Sequence, residues 1–386
     1  MIFLNNFIQI FELINSAKQI SIFTHEKPDG DAIGSSLAFL LFLRKIKKNV
    51  NSFYIDEIPH SSNLILLTKN LSFIDSYNEE YNSTSKEHIA NSDLIFILDV
   101  NNKKRISKPF NYVTNGVENS LGKQNAKIVI IDHHQMPEEF ADYIYVDVDT
   151  TSTCEIIYKL IWSYSYFEKN NQLENTLSEV NDKSKKLNFA DNSYLNYVDY
   201  DIAISLYNGI ITDTGNFKYQ RTDSEVLNIA SNLLEFGFDL VETHKIIFES
   251  LSFNKYQLKL LVQNQTEFLF NNNVAISYVT KKDFENTNTS MIDGEGFSSM
   301  PLEIEGINIS ILIREDLNNL NKDANNNLKI YRVSYRSFGE TNIQKMALNF
   351  GGGGHKNASG STFEAEDITV VIDQIKNYIN TNYKFE

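Results

Sequence analysis

The stretch that decides the fold is Lys127-Ile128-Val129-Ile130-Ile131-Asp132-His133-His134. Its apolar part is short, β-branched and without alternation, which predicts a strand buried in a parallel sheet. In open α/β sheets, ligands bind at the carboxyl ends of the strands, so Asp132, His133 and His134 stand where a metal ion would be held. Taken alone, a polar turn that happens to contain two histidines is an equally good interpretation.

A second group of metal-binding side chains follows a strand predicted at 20–24. His25, Asp29 and Asp31 leave this strand within one tight loop, which leads into the amino terminus of a predicted helix. Either aspartate alone could simply cap that helix. Three hard ligands beside the positive end of a helix are better explained by a cation that also brings in a phosphate.

Two more acidic residues stand at the ends of predicted elements. Asp99 follows an apolar strand at 94–98, and Asp213 follows an apolar helix predicted over 201–211. A single aspartate after a strand usually caps or turns the chain, but the strand ends of one parallel sheet meet at one edge. We therefore expect Asp99 and Asp213 to share one site with the histidines.

From residue 274 onward the pattern changes. Strands predicted at 273–280, 307–314 and 328–336 alternate apolar and polar residues, which indicates a smaller sheet with one exposed face. After a helix predicted at 342–349, the run Gly-Gly-Gly-Gly-His at 351–355 offers backbone N–H groups that can converge on an anion. A flexible linker is the alternative for this run.

These patterns predict an α/β protein of two domains. Residues 1–250 are expected to form a doubly wound, mainly parallel domain with a polar insertion at about 167–197. Residues 251–270 are expected to form a helical linker, and residues 271–386 a smaller α/β domain with a mixed sheet. We expect the substrate cleft between the two domains.

Composition limits the class of partner. A formal net charge of −15 argues against wrapping long duplex nucleic acid, although a small phosphorylated substrate held by local cations is compatible with it. Cys154 is the one cysteine, so the sequence provides no disulfide framework and no thiolate metal cluster. The first residues lack a basic n-region, and no apolar run is long enough for a bilayer, so we expect a cytoplasmic protein without a membrane partner.

In this order, the motifs resemble the DHH phosphoesterase superfamily, and the 351–355 run resembles its DHH-associated carboxyl-terminal domain. The resemblance covers nearly the whole chain. Within the superfamily it is similar to the branch of bifunctional oligoribonucleases and pAp (adenosine 3′,5′-bisphosphate) phosphatases. This implies hydrolysis of short oligoribonucleotides to mononucleotides and of pAp to AMP. The insertion at 167–197 and a long polar loop at 317–327 depart from the pattern, and both would alter access to the site.

The resemblance implies hydrolysis with two divalent metal ions that acidify a bridging water. It assigns one ion to His25, Asp29 and Asp99, and the other to Asp31, Asp99, His133 and Asp213. Asp99 would bridge both ions, Asp132 would orient an imidazole, and His134 would contact phosphate or donate a proton. Imidazole and carboxylate ligands without sulfur suit Mn²⁺ best, with Mg²⁺ or Co²⁺ as alternatives.

Candidate substrate contacts lie in the second domain. Arg314 and Arg336 stand on predicted strands, and arginine binds phosphate through two parallel hydrogen bonds. The alternative for both is a solvated or paired strand arginine. The glycine-rich run adds Gly352, Gly353, Gly354 and His355.

Other functions stay open at this point. A phosphodiesterase for linear pApA or cyclic di-AMP would use the same chemistry. A family II inorganic pyrophosphatase shares the DHH half but carries a different basic motif in its carboxyl-terminal domain. A non-catalytic nucleotide-binding module would be expected to have lost at least one ligand, whereas all are present here. The oligomeric state is open as well, and a homodimer is compatible with the sequence.

Overall fold

The structure is a computed structural model. It describes residues 3–26, 28–54, 74–76, 83–106, 126–135, 137–169, 188–219, 221–249, 251–294, 296–317, 328–354 and 356–385. His355 lies outside these ranges, as do residues 170–187 of the predicted insertion and most of the predicted loop at 317–327. The internal contacts divide the chain into two compact units, Met1–Ser250 and Leu251–Glu386.

Within the described residues, the first unit is built on a six-stranded parallel sheet. Its strands are β1 (Gln19–Phe23), β2 (Asn49–Tyr54), β3 (Ile74–Ser76), β4 (Leu94–Leu98), β5 (Lys127–Asp132) and β6 (Tyr143–Val146). The order is β3-β2-β1-β4-β5-β6, and neighbouring strands pair in parallel. The order reverses between β1 and β4, which is where open α/β sheets bind ligands. The predicted doubly wound parallel fold is confirmed.

Helices cover both faces of this sheet. In the described ranges they are α1 (Phe3–Ser16), α2 (Gly30–Lys45), α3 (Ser83–Asn91), α4 (Thr153–Lys169), α5 (Tyr200–Asp213), α6 (Ser224–Leu234) and α7 (Leu240–Phe248). Ile20 and Ile22 of β1 belong to one core, whereas Phe23 belongs to a second core that contains Ile89 of α3. Because both faces of the sheet are buried, β4 and residues 128–131 of β5 are apolar throughout and do not alternate.

The second unit contains a mixed sheet. Its described strands are β7 (Glu267–Leu269), β8 (Val274–Val279), β9 (Ile309–Glu315), β10 (Lys329–Ser337), β11 (Gly353–Gly354) and β12 (Ala358–Ala365). The order is β11-β12-β10-β9-β8-β7, with β8 and β9 parallel and the other pairs antiparallel. Its helices are α8 (Phe253–Asn264), α9 (Lys281–Thr287), α10 (Gln344–Asn349) and α11 (Ile368–Asn382). The predicted mixed sheet is confirmed.

The segment at 251–270, expected as a helical linker, is helical only over α8. Residues 267–269 form β7 instead, and β7 pairs antiparallel with β8. The contact division also places this segment in the second unit. A strand of three residues is defined by backbone pairing with its neighbour, so no side-chain pattern distinguishes it from the end of a helix.

Both ends of the segment at 167–197, expected as a surface insertion, pack against the first core. The helix α4 continues to Lys169, and the indole Nε1 of Trp162 donates to the carbonyl of Asp191 at 2.7 Å. The rings of Phe189 and Tyr194 lie against Trp162. Aromatic rather than aliphatic side chains form these contacts, which is why a segment poor in aliphatic residues still packs. Across the described ranges, no helix combines the length and apolar character that a bilayer span requires.

Candidate metal centre

The carboxyl edge of the first sheet gathers the predicted ligands. His25 lies two residues beyond β1, Asp99 directly follows β4, and His133 directly follows β5. The remaining members are contributed by helices: Asp29 caps α2, Asp31 lies in its first turn, and Asp213 is the last residue of α5. Three sets of side chains have their ligand atoms within 4.8 Å of one another: His25/Asp29/Asp99, Asp31/His133/Asp213 and Asp99/His133/His134.

Asp99 lies between two imidazoles and presents one oxygen to each. Its Oδ2 is 3.5 Å from Nε2 of His25, and its Oδ1 is 3.6 Å from Nε2 of His133. His25 Nε2 is also 3.7 Å from Asp29 Oδ1. A carboxylate with its two oxygens turned to different ligand sets has the arrangement of a bridging ligand.

The second set surrounds His133. Its Nε2 is 3.2 Å from Asp213 Oδ2 and 3.9 Å from Asp31 Oδ2. Asp31 is almost completely buried, whereas the side chain of Asp213 is 26 % exposed. Asp213 is therefore the member of this set that faces solvent.

The amino terminus of α4 fixes Asp31. The N–H of Thr153 donates to Asp31 Oδ2 at 2.7 Å, and the N–H of Cys154 donates to Oδ1 at 2.9 Å. The helix α5 passes so close that a Cβ on Gly209 would lie 2.2 Å from Cys154 Sγ and 2.7 Å from Asp31 Oδ1. Only glycine fits at position 209, and this close approach lets the end of α5 bring Asp213 to the site.

Asp99 has a left-handed backbone conformation, with φ of 61°. Aspartate tolerates this region better than most residues do. Its N–H donates to the carbonyl of Ile131 at 3.0 Å, and its Oδ1 accepts from the hydroxyl of Thr153 at 3.2 Å. The turn that follows β4 is thus tied to both β5 and α4.

Asp132 contacts the two histidines that follow it. Its Oδ1 accepts from Nδ1 of His134 at 2.7 Å and from the N–H of His133 at 2.8 Å. Burial alone would raise the pKa of Asp132, but the hydrogen bond and charge of His134 lower it below the usual range. Asp132 therefore orients the His134 ring through Nδ1, so Nε2 is the ring nitrogen that Asp132 does not hold.

The acidic residues of the site repel one another. Burial and the charge of Asp213 raise the pKa of Asp31 to about 7, and burial and the charge of Asp29 raise the pKa of Asp213 to about 7. Burial and the charge of Asp31 raise the pKa of Asp99 well above its usual range. Carboxylates packed this closely cost stability unless cations compensate them, so the cluster fits a site for divalent ions.

His25 is prepared as a ligand by its own hydrogen bond. Its Nδ1 donates to the carbonyl of Glu26 at 2.6 Å, while its buried Nε2 makes no hydrogen bond within the described part of the chain. Burial lowers the pKa of His25, but the attraction of Asp29 and Asp99 outweighs burial and raises the pKa to about 10. Protons and metal ions compete for such a nitrogen. The donor set of imidazole and carboxylate therefore fits a divalent metal.

The predicted substrate residues lie in the second unit. Arg314 donates to the carbonyl of Met291 at 3.2 Å, and Arg336 donates to the carbonyl of Tyr335 at 2.8 Å. Both arginines are half-buried. They alternate with Ile313 and Tyr335, which point into the core, so the two arginines share the opposite face of the sheet.

The glycine run has packing roles that the sequence does not reveal. The N–H groups of Gly351 and Gly352 donate to the carbonyls of Leu348 and Ala347, at 3.1 and 2.8 Å, and close the end of α10. A Cβ on Gly352 would lie 2.0 Å from the carbonyl oxygen of Gly360 in β12. Two of the four N–H groups expected to bind an anion are therefore already bonded. Gly353 and Gly354 form β11.

Sequence reasoning missed one group beside the metal cluster. A cavity of about 290 Å³ is lined by His133 and Asp213 and by Arg221, Thr222 and other residues of neighbouring loops. Arg221 follows Asp213 by eight positions in a short loop with no periodic pattern. In the sequence, the pair is marked only by a basic residue followed by a hydroxyl residue, Arg221-Thr222, and such a pair is too common to predict a site.

Comparison with known families identifies the two halves of the chain. A model described as the DHH family amino-terminal domain matches residues 19–181, and a DHHA1 domain model matches residues 271–381. The chain carries a DHH domain and a DHHA1 domain. The predicted superfamily is confirmed. Members of the DHH family and their homologues are phosphoester hydrolases, which is the enzyme class that the sequence predicts.

This chain is similar to several curated proteins over most of its length. It is 26 % identical over 365 residues to the bifunctional oligoribonuclease and PAP phosphatase NrnA of Bacillus subtilis, covering 93 % of this chain and 94 % of that protein. It is 24 % identical over 371 residues to the cyclic-di-AMP phosphodiesterase PdeA of Listeria monocytogenes, covering 93 % of this chain and 46 % of that protein. A crystal structure of an exopolyphosphatase-related protein from Bacteroides fragilis has a TM-score of 0.78 and 26 % identity, covering 98 % of this chain and 97 % of that one.

Proposed function

We propose that this protein is a metal-dependent phosphoesterase that hydrolyses short oligoribonucleotides to mononucleotides and pAp to AMP. The observation that carries the proposal is the position of Asp99, whose two oxygens face His25 and His133 in different ligand sets. The similarity to NrnA proteins over nearly the full length of both chains supports this choice of substrate. A second NrnA, from Thermus thermophilus, is 25 % identical over 357 residues.

In this proposal the first metal ion is held by His25, Asp29 and Asp99, and the second by Asp31, Asp99, His133 and Asp213. Two divalent ions bound there would acidify a water molecule and neutralise charge on the phosphate. The protein holds the ligands in place beforehand: α4 fixes Asp31, and Thr153 fixes Asp99. Manganese is the ion we favour, with Mg²⁺ or Co²⁺ as alternatives.

His134 is the residue we assign to the leaving group. Its Nδ1 is bonded to Asp132, so Nε2 is the nitrogen that contacts phosphate or gives a proton to the leaving oxygen. The His134 side chain is 23 % exposed, compared with 4 % for His25. This exposure is compatible with a role towards substrate for His134.

The second candidate function is a phosphodiesterase for cyclic di-AMP or its linear product pApA. PdeA of Listeria monocytogenes and the cyclic-di-AMP phosphodiesterase GdpP of Bacillus subtilis match more than nine-tenths of this chain. The chain spans about half the length of these two relatives, at 46 % and 49 %. The same metal cluster would serve either reaction, so the substrate has to be determined by experiment.

The deciding experiment compares four substrates with the Mn²⁺-loaded and the metal-depleted protein: pAp, a short oligoribonucleotide, cyclic di-AMP and pyrophosphate. We expect AMP from pAp and mononucleotides from the oligoribonucleotide, only when metal is present. Cleavage of cyclic di-AMP alone would establish the second candidate, and cleavage of pyrophosphate alone would move the chain to the pyrophosphatases. No product from any substrate with Mn²⁺ bound would reject an enzyme of this class and favour a nucleotide-binding module.

A further inference from the structure

The cavity beside the candidate metal centre is lined by both acidic and basic side chains. His133 and Asp213, both candidate ligands, line it together with Arg221 and Thr222. Its volume of about 290 Å³ lies at the lower end of the range for small-molecule sites, which suits a phosphoryl group with part of a sugar.

The loop after α5 folds back so that Arg221 faces the cluster. The carbonyl of Thr214 accepts the N–H groups of Lys218 and Tyr219, at 2.9 and 3.0 Å, and the N–H of Thr222 donates to the carbonyl of Tyr219 at 3.0 Å. These bonds reverse the chain directly after Asp213. The charge of Arg221 consequently acts on the carboxylate of Asp213.

Arg221 uses little of its hydrogen-bonding capacity. Its Nη1 donates to the carbonyl of Thr150 at 3.4 Å, and within the described ranges no second hydrogen bond is made by this side chain. A guanidinium carries five N–H donors in a planar fork. The buried hydroxyl of Thr222 likewise has no hydrogen-bond partner among the described residues. Donors that converge on a cavity next to a metal cluster match the oxygens of a phosphate.

We propose that Arg221 and Thr222 form a phosphate-binding subsite next to the metal centre, which holds phosphoryl oxygens of a nucleotide substrate. The inference rests on the proposed function, because it places a substrate phosphate against the metal ligands His133 and Asp213. Arg221 is thus a binding residue in the first unit, distinct from the arginines of the second unit. Neutralisation of Asp213 is the competing role for Arg221.

Binding of inorganic phosphate to the Mn²⁺-loaded protein tests the subsite without turnover. We expect Arg221→Ala to weaken phosphate binding, measured by titration calorimetry, about 10- to 100-fold, because hydrogen bonds between charged groups are lost. The phosphate affinity of Arg221→Lys should lie between those of the wild type and Arg221→Ala. Thr222→Val should weaken phosphate binding less than Arg221→Ala does. The matched control is Lys218→Ala, which removes an exposed positive charge from the same loop but does not line the cavity.

A second readout separates the subsite from the competing role. If Arg221 only neutralises Asp213, Arg221→Ala should bind Mn²⁺ more tightly and bind phosphate as the wild type does, and this result would overturn the proposal.

The substrate panel distinguishes the subsite from the proposed function. Wild-type hydrolysis of pAp with unchanged phosphate binding in Arg221→Ala rejects the subsite alone. Absence of hydrolysis rejects the proposed function, while the phosphate titration still decides the subsite.

Discussion

In the first unit the candidate residues come from four separate segments of the chain and include the buried carboxylates Asp31 and Asp99, whereas the candidate arginines of the second unit lie half-buried on neighbouring strands. Asp31 accepts N–H groups from α4, more than 120 positions away, and a Cβ on Gly209 would collide with it. Arg336 instead donates to the carbonyl of Tyr335, its own neighbour in sequence. The metal ligands of the first unit are thus held by distant parts of the chain, whereas Arg314 and Arg336 donate to backbone carbonyls of their own unit.

This difference decides how strongly each region points to function. Buried carboxylates from distant segments destabilise a fold unless a cation compensates them, so their convergence needs a function to explain it. A half-buried strand arginine with a local partner needs none. The proposal for the metal centre therefore stands on the structure of the first unit, while the substrate contacts of the second unit depend on the predictions below.

The largest effect is expected from Asp99→Asn. Loss of one charge between the two ligand sets should lower kcat/KM for pAp by about 100- to 1000-fold, as expected when one preorganised electrostatic group is removed. Asp239→Asn is the matched control, because Asp239 caps α7 through a bond to Glu242 N–H and asparagine caps equally well. Unchanged turnover in Asp99→Asn would reject the assignment of the site.

Metal binding should stabilise the first unit selectively. At a Mn²⁺ concentration of about 100 times Kd, linkage predicts about 2.7 kcal/mol of added stability, seen as a higher Tm than in chelator. Hydrogen exchange should show the protection at the amino termini of α2 and α4, whose N–H groups contact Asp29 and Asp31. Equal protection across β9 and β10 would contradict a metal site confined to the first unit.

Substitutions of two glycines in the second unit test the packing role of the glycine run. Gly352→Ala should cost about 1–3 kcal/mol in unfolding free energy, because its Cβ would lie 2.0 Å from the Gly360 carbonyl oxygen. Gly353→Ala should change stability little, since nothing lies within 4 Å of its Cβ position. Denaturant unfolding of both variants measures the difference. Equal stability of the two would mean that the run is not constrained by β12.

The smallest effect is expected from Arg336→Ala, about a tenfold increase in KM for a short oligoribonucleotide if the arginine binds a phosphate. The control is Arg332→Ala on the same strand, whose side chain is already paired with Asp316 at 2.9 Å. Steady-state kinetics of the two variants should differ in KM and agree in kcat. An unchanged KM in Arg336→Ala would reject Arg336 as a phosphate contact.

The sequence predicts that Asp99 and His133 lie close together because both follow buried strands. The runs at 94–98 and 127–131 are apolar throughout, so Asp99 and His133 mark strand ends, and parallel topology brings those ends together. The residues that hold these ligands in place are less predictable from the sequence. Gly209 and Thr153 matter only because α2, α4 and α5 meet, and the backbone bonds that return Arg221 to Asp213 carry no side-chain signal.

The second unit is predicted less completely for a different reason. The strand β12 is rich in small polar residues, and β7 is three residues long, so neither produces a hydrophobic pattern. The helix α11 does carry apolar residues at helical spacing, including Val371, Ile375 and Ile379, and could have been recognised. Pairing with a neighbouring strand, rather than local preference, therefore determines β7 and β12.

The two N–H groups that α4 donates to Asp31 also limit its denticity towards a cation. Each oxygen already accepts one backbone hydrogen bond, from Thr153 at one oxygen and from Cys154 at the other. An ionised carboxylate offers about four acceptor positions, so about two remain on Asp31 for a cation. Calcium takes six to eight oxygens, often from chelating carboxylates, whereas magnesium-sized ions prefer six ligands in octahedral geometry. The end of α4 thus uses two of the acceptor positions that a larger ion, with its higher coordination number, would draw on.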